Sequence, residues 1–155
     1  MTALKSLLFL ILAPGIVAGY IPLVLLGRGQ QVETGVFAYL ALPLWLIGVI
    51  VLLWCFWDFL VKGRGTPAPL DPPKELVVTG LYRYMRNPMY VGVLAIIIGH
   101  FLWFKTISMI VYAAVVFLAF YLFVTLYEEP YLKKTFGTAY DDYIKKVPRW
   151  TPRFR

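Results

Sequence analysis

Four long apolar stretches, separated by short polar segments, set the pattern of this 155-residue chain. The first, second and fourth have roughly the 20 residues that a helix needs to cross a hydrocarbon core. The third is short, and with Lys105 as the only charge before the fourth it predicts a tight helical hairpin. The pattern predicts an all-α integral membrane protein with about four transmembrane helices in one domain. The stretches run from about Leu4 to Leu26, Val36 to Leu60, Tyr90 to Phe104 and Ile107 to Tyr127.

Two polar segments flank the hairpin. The loop between Lys62 and Pro88 opens with several glycines and prolines, which exclude helix and regular strand and predict a linker. After the fourth stretch, apolar residues recur at steps of three and four with Lys and Asp between them. This spacing predicts amphipathic helices that lie on the membrane or on the loop. Gly137 is expected to divide the tail into two helices, and Thr138 with Asp141 resembles a capping box for the second.

Composition and charge support membrane insertion and set its direction. Hydrophobic residues make up 61% of the chain and charged residues 15%, whereas a soluble domain has roughly 25% charged residues. The net charge of +7 lies mainly in the loop and the tail, and the positive-inside rule then predicts that both are cytosolic. We expect a multi-pass protein of a bacterial plasma membrane or the endoplasmic reticulum, with both termini cytosolic. Nucleic-acid binding is not expected, because no basic stripe lies on a water-soluble face.

The N-terminal stretch resembles a signal peptide in one respect, since Lys5 precedes a short apolar run that breaks at Pro14-Gly15. The run resumes from Ile21 to Leu26 without a small-residue cleavage site. We therefore interpret it as a retained helix, and residues 1–62 as an N-terminal transmembrane hairpin.

Few residues outside the loop and tail suggest chemistry. The chain has no dinucleotide-binding glycine motif, no phosphate-binding loop and no Cys/His cluster, so no metal is expected. The lone His100 and the lone Cys55 are more typical of packing residues. Asp58 lies in an apolar stretch, where a carboxylate is costly unless it is paired or functional.

Two shorter segments, rich in charged or aromatic residues, are the strongest candidates for a functional site. One extends from Gly80 to Tyr90 and holds two arginines and three tyrosines, which are also typical of an interfacial belt. The other is Glu128-Glu129-Pro130, where two carboxylates at a predicted helix C-terminus would oppose the helix dipole. Such carboxylates should meet a cation, which either the nearby arginines or a cationic ligand can supply.

These segments carry a family resemblance. Gly80-Leu81-Tyr82, the run from Arg86 to Gly92, Glu128-Glu129 and Phe136-Gly137-x-x-Tyr140-x-x-Tyr143 resemble the isoprenylcysteine carboxyl methyltransferase family and its phospholipid methyltransferase relatives. The resemblance covers about residues 73–148. It implies that residues 63–155 form a methyltransferase core, with a cytosolic loop, a helical hairpin and a C-terminal lid.

The resemblance also implies a cofactor, S-adenosylmethionine, and the residues that hold it. An SN2 displacement would transfer its methyl group to a lipophilic substrate, an isoprenylcysteine carboxylate or a lipid, that enters sideways from the bilayer. The implied catalytic residues are Arg86, Asn87 and Glu128, with Arg86 as the nearest cation for the cofactor carboxylate. The implied cofactor contacts are Lys74, Leu76, Val77, Tyr82, Asn87, Pro88, Tyr90, Glu128 and Glu129.

Two departures from the family pattern leave the substrate open. The family's usual histidine before the proline is Asn87 here, and Asn does not titrate, so a general base is not expected at that position. The arginine that serves the substrate carboxylate in the eukaryotic enzymes is Val124 here. Two alternatives also stay open, namely a sterol-reductase-like membrane enzyme that uses NADPH, and a non-catalytic scaffold or small transporter. The sequence does not indicate an oligomeric state.

Overall fold

The computed structural model describes residues 8, 12–27, 35–63 and 75–153, and every regular element within them is helical. The all-α prediction is therefore confirmed for this part of the chain. A short 3₁₀ turn, Gly80–Arg83, lies in the loop. The helices are α1, Leu12–Leu26; α2, Val36–Lys62; α3, Pro88–Phe104; α4, Ile107–Phe136; and α5, Thr138–Lys146.

Helices α2 and α4 are long and apolar enough to cross a membrane, whereas α1 and α3 are apolar but shorter. Only 22% of the most apolar window of α2 and 17% of that of α4 are buried inside the protein. A core helix of a soluble protein would be mostly buried. The apolar surfaces of α2 and α4 therefore face outward and call for an apolar environment.

Helices α2 and α3 form the most extensive helix pair, and small residues let their backbones approach closely. A Cβ atom on Gly48 would lie 2.8 Å from the carbonyl oxygen of Gly92, and one on Gly92 would lie 3.1 Å from the carbonyl oxygen of Gly48. Farther along, a Cβ on Gly99 would lie 2.5 Å from the ring of Trp45. Larger side chains at these glycines would separate the two helices.

Polar contacts fasten α1 to α3 and α4. A π-helical stretch, Ile16–Tyr20, interrupts the regular hydrogen bonding of α1. The Tyr112 hydroxyl donates to the Val17 carbonyl over 2.8 Å, and His100 Nε2 lies 2.9 Å from the Ala18 carbonyl oxygen. His100 therefore has a packing role, as its isolation in the sequence suggested. Cys55 is likewise fully buried in the core.

Helix α4 extends beyond its predicted end near Tyr127. A π-helical turn, Val124–Glu128, is followed by a further α-helical segment, Glu129–Phe136, in which Pro130 stands in the first turn. The prediction that the two glutamates lie at a helix C-terminus and oppose its dipole is therefore wrong. Because proline has no amide hydrogen, Pro130 leaves a carbonyl of the preceding turn without its helical partner, which fits the irregular turn just before it.

The break at Gly137 is confirmed, since this residue has a φ of +53° and separates α4 from α5. The predicted capping box is wrong. Gly137, not Thr138, occupies the N-cap, and no side chain caps the helix. The carbonyl of Gly137 instead accepts the backbone N–H groups of Tyr140 and Asp141 at 3.1 Å each.

The loop and the end of the chain meet at one end of the helices. Residues 147–153, which we call the strap, run alongside the loop. The Arg86 N–H donates to the Pro148 carbonyl over 2.9 Å, and the Arg153 N–H donates to the Tyr84 carbonyl over 3.0 Å. The two segments that the charge pattern assigned to the same side are thus in direct contact.

Candidate functional site

A cavity opens where the loop, the π-helical turn of α4 and α5 converge. It encloses about 810 Å³ of space that is partly continuous with solvent. The lining is mostly apolar and aromatic, with a few charged groups at one side, which is typical of small-molecule sites. The lining residues are Phe59, Leu76, Val77, Tyr82, Arg86, Asn87, Tyr90, Phe123, Val124, Tyr127, Glu128, Glu129, Tyr131, Leu132, Tyr140 and Tyr143.

Most of the site residues expected from the sequence are brought together in this lining. Pro88 is an exception, because it is fully buried as the first residue of α3 and does not line the cavity. Lys74 lies outside the described residues. Its neighbour Glu75 is exposed and also stands apart from the lining.

Asp58 does not line the cavity either. Its carboxylate is buried and lies 3.4 Å from the Lys62 ammonium group. One of its oxygens occupies the place that a Cβ atom on Gly80 would take. Gly80 has a φ of +58°, so glycine is required there both by the backbone and by the carboxylate. Asp58 therefore packs directly against the turn that leads to the cavity.

Glu129 is held by two arginines, and we call this group of three the clamp. Arg86 Nη1 donates to Glu129 Oε1 over 2.8 Å. Arg149 donates through Nε to Oε1 and through Nη2 to Oε2, both over 2.8 Å. This bidentate geometry is the strong form of the Arg–carboxylate pair. Hydrogen bonding to the Glu129 carboxylate raises the pKa of Arg149. Both oxygens of Glu129 are thus engaged by the protein itself.

Further hydrogen bonds connect the strap and α5 to the loop. The Asn87 side chain donates to the Arg149 carbonyl over 3.1 Å. The Tyr143 hydroxyl donates to the Tyr82 carbonyl over 2.7 Å. Asn87, expected among the catalytic residues, therefore also fastens the strap against the start of α3.

Glu128 has different surroundings from its neighbour. The Tyr90 hydroxyl donates to its Oε2 over 2.9 Å. Among the residues that the structure describes, Glu128 forms no ion pair, although it lines the cavity. A carboxylate with one neutral donor and aromatic neighbours favours a cationic ligand, since both carboxylates and aromatic faces attract cations.

Several tyrosines line the cavity as neutral hydroxyls. Burial raises the pKa of Tyr82 well above its usual range. Burial, and then the charge of Glu129, raises the pKa of Tyr140, and burial raises that of Tyr143. These groups therefore stay protonated at neutral pH and can donate hydrogen bonds. Arg86 also lines the cavity, and its Nε atom is buried with no hydrogen-bond partner within the described ranges.

Sequence reasoning missed an aromatic ladder on α4. The rings of Phe123 and Tyr127 lie 5.2 Å apart, and those of Tyr127 and Tyr131 lie 6.4 Å apart. All three line the cavity and are also exposed at the outer surface of the helix. Their spacing of four residues was a signal in the sequence. Arg149 was also missed, because its role depends on a partner 20 residues away along the chain.

Val124 is fully buried and contributes an apolar wall where the resemblance would place an arginine. Within the described part of the chain, no group of His, Cys, Asp and Glu side chains is placed to hold a metal ion.

Comparison with known proteins gives a family match over most of the chain. The sequence profile described as phospholipid methyltransferase matches residues 29–139. Two curated relatives match about half of the chain. The protein-S-isoprenylcysteine O-methyltransferase B of Arabidopsis thaliana is 39% identical over 79 residues, which are 50% of this chain and 40% of that relative. The protein-S-isoprenylcysteine O-methyltransferase of Schizosaccharomyces pombe is 37% identical over 78 residues, which are 50% of this chain and 33% of that relative. No solved structure is significantly similar to the chain.

Proposed function

Since this chain belongs to the phospholipid methyltransferase family, we propose that it is a membrane methyltransferase that uses S-adenosylmethionine and acts on a lipophilic acceptor. The observation that carries this proposal is Glu128, a carboxylate that lines an aromatic cavity and forms no ion pair among the described residues. The names of the two relatives support the same class of reaction.

The residues present fit this cofactor. S-adenosylmethionine, when bound, supplies an electrophilic methyl group on a sulfonium centre. Its sulfonium and ammonium groups are cations, for which Glu128 and the tyrosine rings are suitable partners. Its adenine needs an apolar slot, which Leu76, Val77 and Tyr82 offer. Its carboxylate needs a cationic donor, and Arg86 is the one cation in the described lining.

The chain's own contribution to the displacement is alignment and exclusion of water. The clamp and strap hold the loop against α4, so that Tyr90, Asn87 and Glu128 keep fixed positions around the cavity. Preorganised groups in a partly dry site lower a barrier without reorganising during the reaction. No residue in the described lining is a histidine or a lysine, so an acceptor that is already nucleophilic suits this site best.

The acceptor is expected to reach the cavity from the bilayer. The ladder of Phe123, Tyr127 and Tyr131 belongs to both the cavity wall and the outer surface of α4. A lipophilic group that moves along this surface reaches the cavity without crossing water. Val124 makes the inner wall apolar, which favours a lipid or a prenylated group over a small charged acceptor.

The proposal includes the membrane arrangement. All four apolar helices would span the bilayer, with the loop and the strap on the cytosolic side, where Lys and Arg are concentrated. Cysteines introduced at Thr66 and Thr151 in a Cys55→Ser background test this arrangement. Both should react with a membrane-impermeant reagent only when the cytosolic face is accessible, and labelling from opposite sides would contradict it.

The alternative that uses NADPH fits the cavity less well. That cofactor carries several phosphates and calls for more cations than carboxylates. In the described lining, Arg86 is the one cation, and Glu129 already engages it.

A transfer assay tests the proposed activity. The purified protein is incubated with S-adenosylmethionine that carries a labelled methyl group, together with fractionated membrane lipids. We expect label to appear in one lipid-soluble fraction, and much less of it with Glu128→Gln. Absence of label from every fraction, with a preparation that binds the cofactor by calorimetry, would contradict the proposed acceptor class. Absence of binding at millimolar cofactor would contradict the proposed function and favour a scaffold or transporter.

A further inference from the structure

A second concave surface lies beside the cavity and shares Tyr143 with it. This groove has one wall from the loop, with Val78, Arg83 and Tyr84. The opposite wall comes from α5 and the strap, and includes Asp142, Lys146, Val147 and Arg153. The proposed methyl transfer uses none of these charged groups.

The groove is strongly basic. Arg83, Lys146 and Arg153 are exposed, and none of them forms an ion pair with a described residue. The single carboxylate of the lining, Asp142, is engaged by Lys145 over 3.0 Å; this hydrogen bond, and then the charges of Lys145 and Lys146, lower its pKa. Three cations that share one groove repel one another, and an anion bound among them offsets this repulsion.

The position of the groove indicates which anion it meets. Arg83 precedes Pro88, where the apolar helix α3 begins, and α5 follows the end of α4. The groove is therefore at the end of the apolar helices where headgroups would lie if these helices are inserted as proposed. The loop wall also offers apolar surface, since Val78 is 39% exposed. Cations at this depth are attracted to anionic lipids.

We propose that this groove binds the phosphate of an anionic phospholipid headgroup and thereby fastens the strap to the loop. The inference rests on the proposed membrane insertion, and it does not depend on methyl transfer. An anion that contacts Arg83 on one wall and Lys146 or Arg153 on the other adds a link across the same boundary as the Arg153–Tyr84 and Tyr143–Tyr82 hydrogen bonds. A ligand that binds only when the strap lies against the loop stabilises that arrangement by mass action.

The test is thermal unfolding of the purified protein in a neutral detergent without cofactor. Short-chain phosphatidylglycerol is titrated in, with short-chain phosphatidylcholine and inorganic phosphate as separate arms. We expect a saturable rise in Tm with phosphatidylglycerol only. Removing any of the three cations by Arg83→Gln, Lys146→Gln or Arg153→Gln should weaken the apparent affinity about fivefold.

The matched control is Lys134→Gln, which removes one exposed cation from α4 outside the groove. It should leave the titration unchanged. An equal loss in this control would show that the lipid responds to net charge, and equal saturation by inorganic phosphate would show that the groove is not a lipid site. Either result, or no response to phosphatidylglycerol, would overturn the proposal. Because no cofactor is present, these outcomes are independent of the methyltransferase assay.

Discussion

The two neighbouring glutamates at the π-helical turn of α4 belong to two different regions of the site. Glu129 lies in a region that holds the site together, and Glu128 lies in a region that can bind a ligand. Glu129 is in the clamp, where two arginines occupy both of its oxygens at 2.8 Å. Glu128 receives one neutral hydrogen bond, from Tyr90, and lines the cavity. Successive helical residues point about 100° apart, so the two carboxylates face different neighbours. Their surroundings, not their chemistry, give them different roles.

Among the predicted changes, removal of the strap, on the clamp side, should have the largest effect on cofactor binding. A chain that ends before Lys145 loses Arg149 and the backbone contacts from Pro148 and Arg153 to the loop. We expect cofactor binding to fall below detection, because Glu129 loses Arg149, the Arg86 backbone loses the Pro148 carbonyl, and the loop is released. Membrane insertion should be retained, since the apolar helices are unchanged. Calorimetry with S-adenosylmethionine and membrane fractionation measure the two properties, and unchanged affinity would contradict the role given to the strap.

Glu129→Gln should have the next largest effect. It leaves the Arg86 and Arg149 guanidinium groups close together without their common anion, and both are mostly buried, at 14% and 30% side-chain exposure. We expect the free energy of unfolding in detergent to fall by about 2–3 kcal/mol, the range for charged hydrogen bonds and broken buried pairs. Asp142→Asn is the matched control. It removes an exposed carboxylate with one lysine partner and should change stability little. Equal effects of both variants would show that the clamp contributes no more to the free energy of unfolding than an exposed ion pair does.

Tyr90→Phe should have the smallest effect, and it acts on the ligand side. The ring keeps its contact with Phe120, at 4.6 Å between centroids, while Glu128 loses its donor. The substitution leaves the charge of Glu128 in place and removes one supporting hydrogen bond, whose typical net contribution of about 1 kcal/mol corresponds to roughly a fivefold change in cofactor affinity. Tyr127→Phe is the control, since Tyr127 also lines the cavity but makes no hydrogen bond recorded among the described residues. A larger loss in the control would contradict the pairing of Tyr90 with Glu128.

The sequence predicts the helices well and their polar connections poorly. Long apolar runs identify α2, α3 and α4, because burial in an apolar medium requires such runs. The extension of α4 to Phe136 was missed because the apolar pattern stops near Tyr127 and Pro130 normally ends a helix. Thr125 offers a local reason for the irregular turn, since its hydroxyl donates back to the Tyr121 carbonyl over 2.7 Å, and such bonds often bend helices.

The candidate site shows the same division. Residues such as Tyr82 and Glu128 were indicated by the family motif, and the structure brings them to one cavity. The partnership of Glu129 with Arg149 depends on how the strap folds back, and no local pattern encodes that contact. The link from Tyr143 to the Tyr82 carbonyl likewise joins a side chain to a backbone group 61 residues away. Tertiary hydrogen bonds of this kind become visible only in three dimensions.

The most direct test of Glu128 as the ligand-facing carboxylate is a calorimetric titration of Glu128→Gln with S-adenosylmethionine. Thermal unfolding of the same variant without cofactor accompanies it. The substitution keeps the size of the side chain and removes its charge. We predict that affinity falls by about tenfold or more, equivalent to about 1.5–3 kcal/mol for a hydrogen bond to a charged group, while the Tm without cofactor changes little. Wild-type affinity in Glu128→Gln would contradict the assignment of Glu128 as the ligand-facing carboxylate.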